Sequence, residues 1–149
     1  TDKKALQEQK KEAVQQTIEN RKALKAEVKP LIAEIKANRT KTQQLRAEAR
    51  DARTNAMQHI KDLMAKSDQL TDAQIAELKQ AKDSLKQLKL DISNTKGDVQ
   101  AEMLAIKEAR KGQNTDQVKA SLDKIIAIQE DRMELIQNSI DEMNQILEI

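Results

Sequence analysis

The sequence predicts an all-α protein, an elongated antiparallel three-helix bundle or coiled coil with a long N-terminal helix extension. Its 149 residues include no Trp, Tyr or Phe, two Gly and one Pro, and 35% of them are charged. This composition is typical of long helices and coiled coils. Apolar heptad repeats run through most of the chain, and two groups of turn and capping residues divide it. We expect a single helical domain over 1–149, with the extension at 1–29 and the bundle at 30–149.

The first helix follows two heptad series that stay in phase. One series consists of Val14, Arg21, Val28, Ile35, Thr42, Ala49, Ala56 and Leu63. The other consists of Thr17, Leu24, Leu31, Asn38, Leu45, Ala52 and His59. Pro30 removes a backbone donor, so the chain forms either one kinked continuous helix or a new helix that begins near Pro30. We favour the kinked helix because Val28, Leu31 and Ile35 keep the frame across the proline.

The second helix is predicted at 72–111. Thr71 and Gln74 have the spacing of a capping box, which starts a helix after a polar break. The apolar face of this helix consists of Leu78, Leu85, Ile92, Val99 and Ile106, with Ala81, Leu88 and Thr95 as companions. Near its end we expect Met103, rather than Glu102, to take the inner position through a local slip of the frame.

The third helix is predicted at 116–149, after Gly112 ends the second helix and Asn114 or Thr115 caps the next one. Its apolar rows are Ile126, Met133, Ile140 and Leu147; Leu122, Gln129, Ile136 and Met143; and Ile125, Ile128, Leu135, Ile146 and Ile149. This arc is too wide for one neighbour, so the helix needs two other helices or a partner chain. The stretch carries eight Asp/Glu and three Lys/Arg, whereas the preceding 115 residues carry 17 and 24.

Short connections should make neighbouring helices antiparallel, in an up-down-up order. Aligning the helices around the first connection places Ile35 opposite Met103. Aligning them around the second connection places Ile92 opposite Ile136. Apolar positions match along both seams, which supports the bundle.

The N-terminal extension carries a heptad stripe that nothing within the chain is expected to cover. Residues 1–29 contain eight Lys/Arg and five Asp/Glu, so two parallel extensions would repel each other. An antiparallel homodimer can instead place each extension beside the acidic third helix of its partner. The residues predicted to contact a second copy or another protein are Val14, Ile18, Leu24, Val28, Ile125, Ile128, Leu135 and Ile146.

The sequence contains no constellation for catalysis or cofactor binding. Cysteine is absent and His59 is the one histidine, which excludes thiolate chemistry and di-iron sites built from paired Glu-x-x-His motifs. His59 falls at a core heptad position, and we interpret it as a packed or partly solvated structural residue. We therefore predict no enzyme activity, no cofactor and no metal. No apolar run approaches the roughly 18 residues that a membrane span needs.

A basic row on the first helix offers a candidate nucleic-acid surface, consisting of Lys36, Arg39, Arg46, Arg50 and Arg53. Acidic residues are interspersed with this row, and no aromatic side chain is present to stack on a base. We therefore expect a solvated face that pairs with the acidic third helix, and do not expect nucleic-acid binding. Asn38, Thr42 and Gln129 lie at seam positions and should fix the register of the helices. Most of the five methionines are interpreted as core residues.

Residues Leu70-Thr71-Asp72-Ala73-Gln74 fit the LTxxQ motif. Further along, Asp116 to Leu147 form a predicted long helix rich in Lys, Glu, Gln and Met after a short break. In these features the chain resembles the Spy/CpxP family of extracytoplasmic helical chaperones and stress sensors. The resemblance implies an exported, dimeric, ATP-independent chaperone that binds unfolded clients on an apolar groove. Our first interpretation is a non-enzymatic helical interaction or scaffold protein, exported and bacterial. The Spy/CpxP-like chaperone is the alternative.

Overall fold

The computed structural model describes residues 2–112 and 114–149. The described part of the chain forms α1 (Asp2–Met64), a 3-10 turn (Ser67–Gln69), α2 (Asp72–Lys111) and α3 (Thr115–Ile146). The three long helices pack together, so the predicted all-α bundle is confirmed. Thr1, with which the predicted extension begins, lies outside the described residues.

Helix α1 is continuous through Pro30, as favoured from the heptad frame. Pro30 and Ala26 are both exposed, so solvent can satisfy the Ala26 carbonyl group that loses its helical N–H partner. The 63 residues of α1 span roughly 95 Å at about 1.5 Å per residue. The buried residues found in α1 all belong to the two predicted heptad series: Val28, Ile35, Asn38, Thr42, Ala52 and Ala56.

Helix α2 begins with the predicted capping box. Thr71 Oγ1 accepts a hydrogen bond from Gln74 N at 3.2 Å, and Thr71 N donates to Gln74 Oε1 at 2.9 Å. These bonds satisfy backbone donors that the first turn of a helix leaves unpaired. Gln74 Nε2 also donates to the carbonyl oxygen of Ile149 at 3.4 Å, which ties the start of α2 to the end of α3.

Helix α2 ends at Lys111, with Gly112 as the C-cap, as predicted. Gly112 has a φ of −81°, so this cap does not use the left-handed conformation that favours glycine. Asn114, one of the two predicted caps, begins α3, because its Oδ1 accepts a hydrogen bond from Gln117 N at 3.0 Å. Gly97 lies inside α2, and a Cβ at that position would meet no atom within 4 Å.

Helix α3 is the central helix of the bundle, since α1 and α2 each pack against it and make little direct contact with each other. Its broad apolar arc is therefore divided between two neighbours. Glu27 of α1 pairs with Lys119 of α3 at 3.9 Å, and further along Asn38 pairs with Gln129 at 3.2 Å. From the first pair to the second, the residue numbers rise on both helices, so α1 and α3 are parallel.

Helices α2 and α3 are antiparallel, as predicted. Gln74 at the start of α2 bonds to Ile149, whereas Glu102 near its end pairs with Lys124 at 3.8 Å. Ile92, expected opposite Ile136, packs against the buried cluster that contains Ile136. The predicted register of the second seam therefore holds.

The predicted inner face of α2 is wrong at one position. The sequence pattern places Met103 inside, but Met103 is 50% exposed, whereas the side chain of Glu102 is 19% exposed and points toward Lys124. The predicted seam between α1 and α2, with Ile35 opposite Met103, is also wrong, because both helices pack on α3 and barely touch each other. Ile35 and Met103 line different walls of an open groove. Leu147, expected on the stripe of α3, is also exposed, because it follows the last residue of that helix.

The core consists of two apolar clusters on either side of a polar layer. The first cluster contains Val28, Ile35, Ile106, Ala109, Val118, Leu122, Ile125 and Ile126. The second contains Ala52, Ala56, Ile136, Ile140, Met143 and Ile146. Between them, Asn38 Nδ2 donates to Gln129 Oε1 and Gln129 Nε2 donates to the Ile35 carbonyl oxygen, both at 3.2 Å. Thr42 Oγ1 donates to the Asn38 carbonyl oxygen at 2.8 Å. The predicted seam residues thus form satisfied hydrogen bonds that connect α1 to α3.

Candidate interaction surfaces

The first part of α1 projects beyond the bundle, and we call residues 2–23 the overhang. Every residue of the overhang is exposed except the half-buried Thr17, whose hydroxyl group donates to the Ala13 carbonyl oxygen. Leu6, Val14 and Ile18 are exposed there, with Val14 at 60%. Their spacing of eight and four residues places them on one side of the helix, so the overhang presents an apolar stripe to solvent.

The bundle begins earlier along α1 than the sequence suggested. Val28 is 3% exposed and lies in the first core cluster, and the half-buried Leu24 packs against that cluster. The expectation that nothing within the chain covers Val28 is therefore wrong. The physical reason is the parallel offset of α1 and α3, which brings the buried Val118 to the level of Val28.

The predicted interaction residues of α3 lie mainly inside the bundle. Ile125 and Ile146 are buried, one in each core cluster, and Ile128 and Leu135 are half-buried. Packing on both α1 and α2 covers the wide apolar arc. Of the predicted interaction residues, Val14 and Ile18 are the two exposed ones.

The outer face of α3 is strongly acidic. Its exposed carboxylates belong to Asp116, Asp123, Glu130, Asp131, Glu134 and Asp141, and the exposed Glu148 follows the end of the helix. Where α3 meets α2, an open furrow of about 410 Å³ is lined by Asp91, Asp141 and Glu142 together with polar residues and Leu88. No lysine or arginine lines this furrow, so it favours a basic partner surface.

The basic row of α1 does not pair with this acidic face. Between helices of the described chain, the ion pairs join Lys119 to Glu27 and Lys124 to Glu102. Helix α3 thus supplies the cations, and its neighbours supply the anions. Pairing of the Arg39–Arg53 row with α3 was expected and is absent among the described residues.

A second, basic groove opens between α1 and α2, with α3 as its floor. Its volume is about 370 Å³, and we call it the cationic groove. Its charged side chains are Lys36, Arg39, Arg46, Arg110 and Arg132, and its apolar lining consists of Ile32, Ile35, Val99, Met103, Ile106, Leu122 and Ile125. The groove exists because the two flanking helices pack on α3 rather than on each other.

Sequence reasoning missed two charged residues of this groove, Arg110 and Arg132, of which Arg132 is the more buried. The Nε of Arg132 is buried and has no hydrogen-bond partner among the described residues. Burial lowers the pKa of its guanidinium group, and the nearby positive charge of Arg46 lowers it further. A signal was present in the sequence, because Arg132 continues an inward heptad series: Val118, Ile125, Arg132, Ser139 and Ile146.

His59 and the methionines occupy mixed environments. His59 is half-buried, and its Nε2 has no hydrogen-bond partner among the described residues. Met143 is buried, but Met57, Met64 and Met103 are each at least half exposed. The interpretation of most methionines as core residues is therefore wrong.

Comparison with known proteins finds no matching protein family, no matching curated protein and no matching solved structure. Within residues 2–112 and 114–149, no helix is both long enough and apolar enough to cross a membrane. The same residues contain no group of three or more His, Asp or Glu side chains that could hold a metal ion.

Proposed function

We propose that this chain is a non-enzymatic helical interaction protein that self-associates through its overhang. The observation that carries the proposal is the exposed stripe of Leu6, Val14 and Ile18 on a helical segment outside the bundle. Exposed apolar residues in a row, on a helix that has no neighbour, are characteristic of a surface that a partner covers.

Charge selects a second copy in antiparallel orientation as the partner. Residues 1–29 carry a net charge of +3, from eight Lys/Arg and five Asp/Glu, whereas residues 116–149 carry −5, from three and eight. The carboxylates of α3 are exposed and the furrow between α2 and α3 has an acidic lining. Two overhangs side by side in parallel would repel, but an antiparallel pair brings each overhang to an acidic face.

The apolar stripe is large enough to support a moderate affinity. Full burial of an aliphatic side chain contributes roughly 1.5–3 kcal/mol. The stripe residues are 41–60% exposed, so six such side chains, three from each copy, contribute about 5–9 kcal/mol on burial, which lies within the range of an association cost of about 4–15 kcal/mol. We therefore expect a dimer at micromolar concentrations rather than a permanent assembly.

Sedimentation velocity of the intact chain tests the proposal. At tens of micromolar the chain should sediment as a dimer, and the triple variant Leu6→Gln/Val14→Gln/Ile18→Gln should be a monomer. The matched control is Leu90→Gln/Leu104→Gln, because these leucines are equally exposed but lie on α2. An intact chain that remains monomeric, or a control that dissociates as readily as the triple variant, would contradict the proposal.

Chaperone-like binding of unfolded clients is the second candidate function. It is favoured by Met103 and Leu104, which are exposed and line an open concavity of about 650 Å³ on α2. Flexible methionine side chains suit the binding of varied apolar segments. In an aggregation assay, Met103→Gln/Leu104→Gln should then protect a model client less than the intact chain does. No protection by the intact chain at several-fold excess would eliminate this candidate.

We further propose that the protein acts outside the cytoplasm. The support is the resemblance at Leu70–Gln74, whose Thr71 and Gln74 form the capping box at the start of α2. Fractionation of producing cells, with a cytoplasmic enzyme as the marker for leakage, measures the location directly. Recovery with the cytoplasmic marker alone would refute this part of the proposal.

A further inference from the structure

The cationic groove is open to solvent and has the size of a small-molecule site. Helices α1 and α2 form its walls, and Leu122, Ile125 and Gln129 of α3 form its floor. Its volume of about 370 Å³ lies near the lower end of the roughly 300–1,000 Å³ that ligand pockets occupy. A further concavity, which shares Gln43 and Arg46 with it, continues along α1, so an elongated ligand can extend beyond the groove.

The charges around the groove are all of one sign. Five lysine and arginine side chains line it, and no aspartate or glutamate does. None of these five side chains forms an ion pair with another residue of the described chain. Cationic groups gathered in this way repel one another, and an anion that bridges them removes the repulsion.

The guanidinium group of Arg132 is the strongest single indication of an anion. It projects from the central helix into the groove with a buried Nε that has no hydrogen-bond partner, and Arg46 is the neighbouring positive charge. An unsatisfied buried donor is costly, and a carboxylate accepts two parallel hydrogen bonds from a guanidinium group. Arg132 and Arg46 both line the groove, so a carboxylate bound there is attracted by two positive charges.

The remainder of the groove is apolar. Ile35 and Ile106 of its walls and Leu122 of its floor are buried, and Met103 is half exposed. An inorganic anion makes no use of these side chains, whereas an aliphatic chain attached to the anionic group packs against them. The lining thus fits a ligand with one charged end and one apolar end.

Macromolecular occupants fit less well. The overhang of a second copy is itself basic, so its charge opposes entry. Nucleic acid would find no aromatic side chain for stacking, since the chain has none.

We propose that the cationic groove binds a small amphipathic anion, namely a carboxylate at the end of an aliphatic chain, with Arg46 and Arg132 on the carboxylate. Isothermal titration calorimetry of the full chain with sodium decanoate, kept below its micelle concentration, tests the proposal. One molecule should bind per chain, and Arg46→Gln and Arg132→Gln should each weaken binding at least tenfold. The matched control is Arg53→Gln, because Arg53 is an exposed arginine of the same helix that does not line the groove; it should change the affinity less than twofold.

Three probes separate this ligand from its alternatives. Decyltrimethylammonium, with the same chain and the opposite charge, should not bind. Inorganic phosphate should bind much more weakly than decanoate, and a DNA duplex should not displace decanoate. Saturable decanoate binding with both arginine variants weakened supports the proposal. The proposal is overturned if decanoate shows no saturable binding, or if Arg53→Gln weakens binding as much as the other two variants. It is also overturned if phosphate or decyltrimethylammonium binds as tightly as decanoate, or if the DNA duplex displaces decanoate. Circular dichroism tests whether each variant is folded. Arg46 and Arg132 lie on different helices, so the same loss of decanoate affinity in both variants argues against a local folding defect.

Discussion

Replacing Val118 with alanine tests whether the first core cluster begins where α3 begins. Val118 lies in the first turn of α3 and is 0% exposed, in one cluster with Val28 and Ala109. Residues at helix ends usually fray and contribute little to stability. We expect Val118 to contribute strongly to stability instead, because the parallel offset of α1 and α3 encloses it.

The magnitude follows from three contributions. Losing two methyl-sized groups from the core costs about 1.6 kcal/mol at about 0.8 kcal/mol each. The cavity that remains adds about 0.5–1 kcal/mol, and the higher helix propensity of alanine offsets about 0.6 kcal/mol. Val118→Ala should therefore lower the free energy of unfolding by about 1.5–2 kcal/mol. For a chain of this length, that corresponds to a Tm lower by roughly 3–8 °C.

The matched control is Val14→Ala, the same substitution at a site that is 60% exposed. Urea unfolding followed by circular dichroism, at a concentration where the chain is monomeric, measures both variants. Val14→Ala should leave stability unchanged or raise it by up to about 0.6 kcal/mol, through helix propensity alone. Equal losses in both variants, or no loss in Val118→Ala, would refute the assigned boundary between overhang and bundle.

Three further substitutions test local features of the fold by the same unfolding assay. Asn38→Ala should lower the free energy of unfolding by about 1–3 kcal/mol, because Gln129 loses its hydrogen-bond partner. Replacing both residues with leucine should restore that stability but loosen the register of the helices, which faster amide exchange in α1 would show. Gly97→Ala should stabilise by about 1 kcal/mol, since the new methyl group meets no atom within 4 Å, and a loss would reveal a hidden contact. Thr71→Ala should lower the free energy of unfolding by about 0.5–2 kcal/mol, whereas Thr71→Ser should leave it nearly unchanged because the serine hydroxyl group can still cap the helix.

The helices could be predicted from the sequence because their signals are local and periodic. The buried residues of α1 follow two heptad series, and the cap at Thr71 depends on residues three positions apart. The error at Met103 came from giving one residue's hydrophobicity more weight than the frame. An unbroken heptad frame through Val99 and Ile106 requires Glu102 on the inner face, and the structure keeps that frame.

The surfaces were harder to predict because they depend on how the helices are offset. The overhang was predicted, but the structure ends it at residue 23 rather than at Lys29. The reason is that Leu24 and Val28 already pack in the first core cluster against α3. The cationic groove combines Arg46, Arg110 and Arg132 from three different helices. No local pattern brings these residues together, and only the absence of a direct α1–α2 seam opens the space between them.

The overhang and the cationic groove should act independently, because their charges direct them to different partners. The overhang is basic and suits the acidic face of α3 in a second copy, whereas the groove repels it. Coupling requires that a ligand at one site changes the affinity of the other, and it is reciprocal when it exists. No residue of the overhang lines the groove, so we expect no such change. Saturating decanoate should therefore leave the sedimentation of the intact chain unchanged, and the triple overhang variant should bind decanoate as tightly as the intact chain. If decanoate instead dissociates the dimer, the overhang of one copy occupies the groove of the other, and the charge argument for the antiparallel arrangement is wrong.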